Sequence, residues 1–259
     1  MSAVATFTDK ARRLDRVRLI LKRRYGEVQR PLVTHPVEHA VRAILAEGAS
    51  RAQVDRAVER LRRDFVGWND LRVSRPREIR ESLGADFPDA AYKARVIPRL
   101  LDQVFKRHNS MVWDFLEETG KLQTRVYFEG LEEVRPFVAA TIARDCAGAH
   151  AFPVDRDVAR VLGRLGVLDP QTQSESQMQT FLERAVRSSR IGEAHQLIKR
   201  LAEDLCLADA PRCGRCPASA MCPSVERRPK RKPLKRKKAR RTGAGRQKKK
   251  TKARAARKK

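Results

Sequence analysis

Cys206, Cys213, Cys216 and Cys222 stand in the spacing C-x6-C-x2-C-x5-C, four thiols within seventeen residues. Thiols gathered this closely ionise together only if something neutralises them. A metal centre does so, and its binding energy folds a loop with little core of its own. Pro211, Pro217 and Pro223 stiffen the segment, and the last two directly follow cysteines, as in some iron–sulfur ligand runs. Arg212 and Arg215 set positive charge beside the sulfurs. Three readings compete. Structural zinc usually takes two short pairs, or one pair with two histidines, and only one C-x2-C occurs here. Two disulfides suit a small secreted domain, but Met1 to Lys10 carries no leader pattern. A single [4Fe–4S] cube needs four thiolates from one wrapped loop, which a short pair and two longer arcs supply. The cube is the favoured reading.

The run Cys206-x6-Cys213-Gly214-Arg215-Cys216, with Pro211 and Arg212 before the second cysteine, resembles the cluster loop of the endonuclease III family. These are helix-hairpin-helix DNA glycosylases of base-excision repair, the HhH-GPD group. The resemblance runs from about residue 10 to residue 225 and is strongest at the cysteines. It implies an all-α, two-domain fold. Residues 29–149 would form a six-helix barrel domain with a degenerate hairpin; residues 1–28 and 150–225 would form the iron–sulfur cluster domain. It also implies double-stranded DNA as the partner and a cleft between the domains.

Glycosylases extrude a base and break its bond to the sugar, where a carboxylate stabilises an oxocarbenium-like transition state or activates water. Phe152-Pro-Val-Asp155-Arg-Asp157 resembles the family's Val-Asp-Thr-His stretch, which makes Asp155 the candidate catalytic acid. Asp155 also stands where a helix beginning at Arg156 needs a cap, and the two roles are compatible in position.

Three departures accompany this match. The family hairpin Leu-Pro-Gly-Val-Gly corresponds to Leu131-Glu132-Glu133-Val134-Arg135, so both glycines are lost and two glutamates stand where a phosphate would dock. Arg135 offsets them in part. The lysine that forms a Schiff base in bifunctional members falls on Phe137, which removes the amine route to strand cleavage. Monofunctional members also lack it. The glutamine that fills the gap left by a flipped base falls on Gly48. The expectation is a monofunctional glycosylase with Asp155 catalytic, Cys206, Cys213, Cys216 and Cys222 on the cluster, and Arg135, Arg212 and Arg215 on DNA. The alternatives are a catalytically silent DNA-binding protein on the same scaffold and a zinc-bearing nucleic-acid-binding module.

The elements that must position these residues read almost throughout at helical period. Helices are expected over 9–24, 37–47, 75–83, 89–107, 110–119, 124–130, 136–146 and 156–166. Ser50 with Gln53 and Ser174 with Gln177 open two more, and a last one feeds into Cys206. Pro98 is expected to bend or split its helix. Trp68, Trp113 and Cys146 read as packing residues, and Lys121 as a solvated helix end. His35, His39, His108, His150 and His195 show no metal-ligand spacing and read as surface or capping residues.

Charge points to the same class of partner. The formal net charge is +27, and residues 226–259 carry 20 Lys/Arg against the single acid Glu226. That tail reads as disordered and phosphate-binding, while the remainder still carries +8. With 41% hydrophobic residues a core is available, and mean hydropathy of −0.60 without a long apolar run argues against a bilayer span. A monomer beside DNA is expected, in the cytoplasm and nucleoid of a bacterium or the nucleus of a eukaryote, and not secreted.

Overall fold

The computed structural model describes residues 6–28, 33 and 35–226, and the basic tail expected beyond Glu226 lies outside the described residues. Among the described residues every regular element is helical. The chain runs through α1 (Phe7–Tyr25), α2 (Pro36–Ala46), α3 (Arg51–Asp64), α4 (Trp68–Val73) and α5 (Pro76–Leu83). Next come α6 (Ala90–His108), α7 (Phe115–Glu118), α8 (Lys121–Glu129) and α9 (Pro136–Ala147). The series closes with α10 (Arg156–Arg164), α11 (Glu175–Ala185), α12 (Ser188–Asp204) and the short α13 (Pro223–Glu226). None of these helices is long and apolar enough to cross a membrane.

Local chemistry sets the boundaries. Thr6, Ser50 and Ser174 each accept the N3 amide of α1, α3 and α11, and Asp9, Gln53 and Gln177 return the bond. Gly148 takes the left-handed conformation that ends α9, with its amide bonded to the last turn.

Buried apolar side chains divide into two cores. The first gathers α2 through α9, including Val41, Ile44, Leu61, Ile97, Leu101, Trp113, Phe128 and Phe137. The second joins Leu14, Val17 and Leu21 of α1 to Phe152 and to α10, α11 and α12. Within them α9 packs on α2 and α8, α6 on α4 and α5, and α12 on α1 and α10. The helix α1 thus packs with α12 and its core rather than with its sequence neighbours.

Several local expectations change. Pro98 does not split α6, which runs unbroken for 19 residues. A mid-helix proline costs about 3 kcal/mol, but Ile97, Leu100 and Leu101 beside it are fully buried. Each contributes about 1.5–3 kcal/mol, enough to hold the helix together. The helix expected over 110–119 shrinks to the four residues Phe115–Glu118. Trp68–Val73 forms a short helix that periodicity does not reveal, since a single turn shows too few apolar positions.

Candidate functional site

Asp155 follows the buried stretch Ala151–Val154 and is the N-cap of α10, where its Oδ1 accepts the Val158 amide at 2.9 Å. Its other oxygen, Oδ2, takes a bond from Lys199 Nζ of α12 at 2.6 Å. The Asp155 side chain has 0% exposure and that of Lys199 14%, so the two groups are buried together. The same ammonium reaches Asp157 Oδ2 at 3.0 Å. Asp157 also pairs with Arg160, whose Nε donates to the carbonyl of Cys206 at 3.1 Å. Burial opposes the charge on Lys199, yet the two carboxylates outweigh it and its pKa is raised. Burial likewise opposes ionisation of Asp157, and Lys199 and Arg160 overcome it, lowering its pKa. Sequence reading found Asp155 but missed Lys199, because a lysine on an apolar helix reads as solvated until the facing helix is known.

The turn between α8 and α9 holds a non-glycine residue in a left-handed conformation. Glu133 adopts φ 62°, a left-handed value that favours glycine. Its carboxylate bonds Arg95 Nε at 2.8 Å and Arg99 Nη1 at 2.5 Å, both on α6. Tyr92 Oη donates to the Glu133 carbonyl at 3.0 Å, and the Glu132 amide donates to Gln103 Oε1 at 2.9 Å. The turn is held by α6, not by chain flexibility. Arg135 pairs with Glu47 at 3.0 Å and stacks on Tyr92, with its guanidinium carbon 3.7 Å from the ring centre.

Phe137 is 3% exposed and faces His195 with ring centres 6.4 Å apart, while Phe152 meets the same imidazole at 5.8 Å. His195 is one helical turn before Lys199, and neither ring nitrogen has a hydrogen-bond partner. Burial, reinforced by the charges of Arg144 and Lys199, holds its pKa well below the usual value. His195 is therefore a neutral interior residue, not the surface or capping residue expected. His39 also points inward, 3.0 Å from Asp145, and His108 stacks on Phe115 at 3.7 Å.

Gly48 takes φ 67°, and a Cβ built there would meet nothing within 4 Å. Below that turn Lys93 donates to the carbonyls of Leu45 at 3.0 Å and Glu47 at 2.8 Å. These are orphan acceptors at the end of α2. Burial lowers the Lys93 pKa to about 8.

The cysteines follow α12 directly. Cys206 donates its amide to the Leu201 carbonyl at 2.7 Å, and single 3-10 turns at Cys213–Arg215 and Ser219–Met221 carry the rest of the loop. All four are half-buried free thiols. Cys216 has its pKa raised by burial and then by the charges of Cys206, Cys222 and Cys213. Arg164, the last residue of α10, clasps the loop. Its Nη1 lies 3.6 Å from Cys206 Sγ, and both terminal nitrogens donate at 2.6 Å, to the carbonyls of Leu207 and Ala208. Its own carbonyl accepts Cys222 Sγ at 3.2 Å and Ser224 Oγ at 2.9 Å. Among the described residues no set of three or more His, Cys, Asp or Glu side chains is placed to hold a single metal ion. The donor chemistry, four soft thiols on one clasped loop, fits an iron–sulfur centre. Arg212 and Arg215 are both exposed on this loop, and Arg212 Nη1 donates to the Asp204 carbonyl at 3.3 Å.

A separate cavity of 280 Å³ beside Phe65, Trp68 and Leu71 contains none of the candidate residues.

No protein-family model matches this chain, and no curated protein matches its sequence. Solved structures do match. An endonuclease III trapped as a covalent intermediate with DNA superposes with a TM-score of 0.68 at 20% identity, covering 86% of this chain and 99% of the other. A thermostable thymine-DNA glycosylase gives 0.61 at 14% identity, covering 86% and 100%. A 3-methyladenine DNA glycosylase from H. pylori, bound to 1,N6-ethenoadenine, gives 0.56 at 16% identity, covering 76% and 98%. The chain has the fold of the HhH-GPD DNA glycosylases.

Proposed function

We propose that this protein is a monofunctional DNA N-glycosylase of base-excision repair, hydrolysing the bond between a damaged or mispaired base and its sugar. The observation that carries the reading is a buried, helix-capping Asp155 in a site whose hairpin helix offers Phe137 instead of an amine. Lys199 does not replace that amine, because two carboxylates keep it protonated and so non-nucleophilic. The C1′–N bond breaks with its electron pair leaving on the base. Asp155 faces the positive charge that develops at C1′; water adds its oxygen there, and the proton it loses goes to the departed base anion.

Cys206, Cys213, Cys216 and Cys222 would hold a [4Fe–4S] cluster, whose chemistry here is structural, tying the loop to α10 and α12. Arg212 and Arg215, exposed on that loop, would grip double-stranded DNA. Arg135 is bound to Glu47 and Tyr92, and contributes by shaping the hairpin. The two hydrophobic cores support a division into residues 29–149 and residues 1–28 with 150–225. The basic tail over 226–259 adds phosphate affinity without reading sequence. A monomer located with the cell's DNA follows from this reading.

A second reading is a DNA-binding protein that kept the scaffold and lost the chemistry. The burial of Asp155, with Lys199 bonded to its Oδ2, favours it. Incubation with duplexes carrying uracil, oxidised pyrimidines or mispaired adenine, followed by alkali, separates the two. Base loss that disappears in Asp155→Asn supports the enzyme; intact duplexes across the whole panel support the binding protein.

A further inference from the structure

We infer that Lys199 is a displaceable counter-cation of Asp155: it stands where positive charge develops on the sugar, and passes to Asp157 when that charge arrives. The inference rests on the glycosylase reading. Asp155 has one oxygen fixed by the Val158 amide, so only Oδ2 can face a reacting sugar, and Oδ2 is the oxygen that Lys199 occupies at 2.6 Å. The Asp155 side chain is at 0% exposure and its Oδ2 is bonded to Lys199, so a sugar that approaches Oδ2 has to take the place of that bond.

The second carboxylate makes that movement feasible. A buried ammonium stripped of its partner is strongly disfavoured, but Asp157 already accepts from Lys199 at 3.0 Å. Leaving Asp155 therefore does not leave Lys199 unpaired. Asp157 is itself fixed by Arg160, and Arg160 by the Cys206 carbonyl, so the receiving site is rigid. The neighbouring His195 is neutral and adds no competing charge. Lys199 takes no covalent part; it is a positioning residue that holds Asp155 Oδ2 aimed until a stronger local cation forms. A merely structural ion pair between α10 and α12 would show the same distances, and it differs in what it does to a cationic ligand.

Two duplexes distinguish them, one with a protonated pyrrolidine ring in place of a nucleoside sugar and one with a neutral tetrahydrofuran ring. Their dissociation constants are measured by fluorescence anisotropy for the wild type and for Lys199→Met, Lys199→Arg, Asp157→Asn and Asp155→Asn. Removing the resident ammonium should raise the preference for the cationic duplex about tenfold in Lys199→Met. Lys199→Arg should keep the wild-type preference, Asp157→Asn should lower it, and Asp155→Asn should abolish it. A Lys199→Met protein with the wild-type preference, or with that of Asp155→Asn, overturns the inference and leaves the glycosylase reading standing. A wild type that binds neither duplex overturns both. Should Lys199→Met fail to fold, Asp157→Asn decides: an unchanged preference overturns the inference, and a lowered one sustains it.

Discussion

Lys199 and Asp155, 44 residues apart in the chain, meet at 2.6 Å and tie the start of α10 to the middle of α12. The pair has a measurable stake in folding. Asp155→Asn retains an N-cap acceptor and removes the charge, with Asp157 left to compensate in part. Urea unfolding should show a loss of about 2–3 kcal/mol, less than the loss for a buried pair with no second partner. Lys199→Met combined with Asp155→Asn should be less destabilised than the sum of the single variants, and additivity would argue against direct coupling.

The pH response of Asp157 and Lys199 follows from the directions of their shifts. Asp157 is depressed below 3.8 in the folded state, so its contribution is present above that value and is lost as acid reaches the folded pKa. Lys199 is raised above 10.5, so its contribution is present below that value and is lost as pH rises through the folded pKa. Lys93 runs the other way. With a folded pKa of about 8 against an ordinary value of 10.5, it binds fewer protons folded than unfolded between those limits. Its contribution to stability rises from pH 8 to 10.5. Wild type compared with Lys93→Met by thermal melts across that range should show this upward slope only in the wild type.

Glu133 gives the hairpin its test. Glu133→Gly relieves a left-handed side-chain conformation and removes an acid from the expected phosphate position, while giving up the bonds to Arg95 and Arg99. These opposing effects should leave Tm within about 4 °C of the wild type. Affinity for an undamaged duplex, read by filter binding at fixed salt, should rise several-fold. A fall in affinity would mean that the glutamate organises the DNA surface rather than obstructing it.

The proposed [4Fe–4S] assignment of the cysteine loop predicts a colour. Anaerobically purified protein should contain iron and labile sulfide and absorb broadly near ~400 nm, as expected of iron–sulfur thiolate centres. Cys216→Ser should lose both the absorption and the iron. Because the loop between Cys206 and Cys222 has little core of its own, protease cleavage within it should follow cluster loss. Zinc in a colourless sample would refute the iron–sulfur assignment.

Much of this fold was legible because its caps are local. Ser50 with Gln53 and Ser174 with Gln177 announce helices from four residues each, and the apolar stripe of α1 already names Leu14, Val17 and Leu21. Asp155 was legible for the same reason, since a capping carboxylate is written beside the helix it caps. What could not be read was set by distant packing. Lys199 faces two carboxylates across a helix pair, Lys93 caps a helix more than forty residues away, and His195 sits between Phe137 and Phe152. Pro98 misled because its cost is local while the burial that offsets it is tertiary. The left-handed Glu133 was hidden as well, since only glycine advertises that conformation in sequence.

Helix α10 carries Asp155 at one end and, at the other, the Arg164 clasp on the cysteine loop. Nine residues make a rod about 14 Å long. Pivoted at one end, such a rod swings its other end by about 2 Å for a tilt of ten degrees, and misplacement of about 1 Å can already cost a hundredfold in rate. Damage confined to the sulfur-bearing loop would thus reach the carboxylate as a lever arm, without a single side chain being altered at the far end.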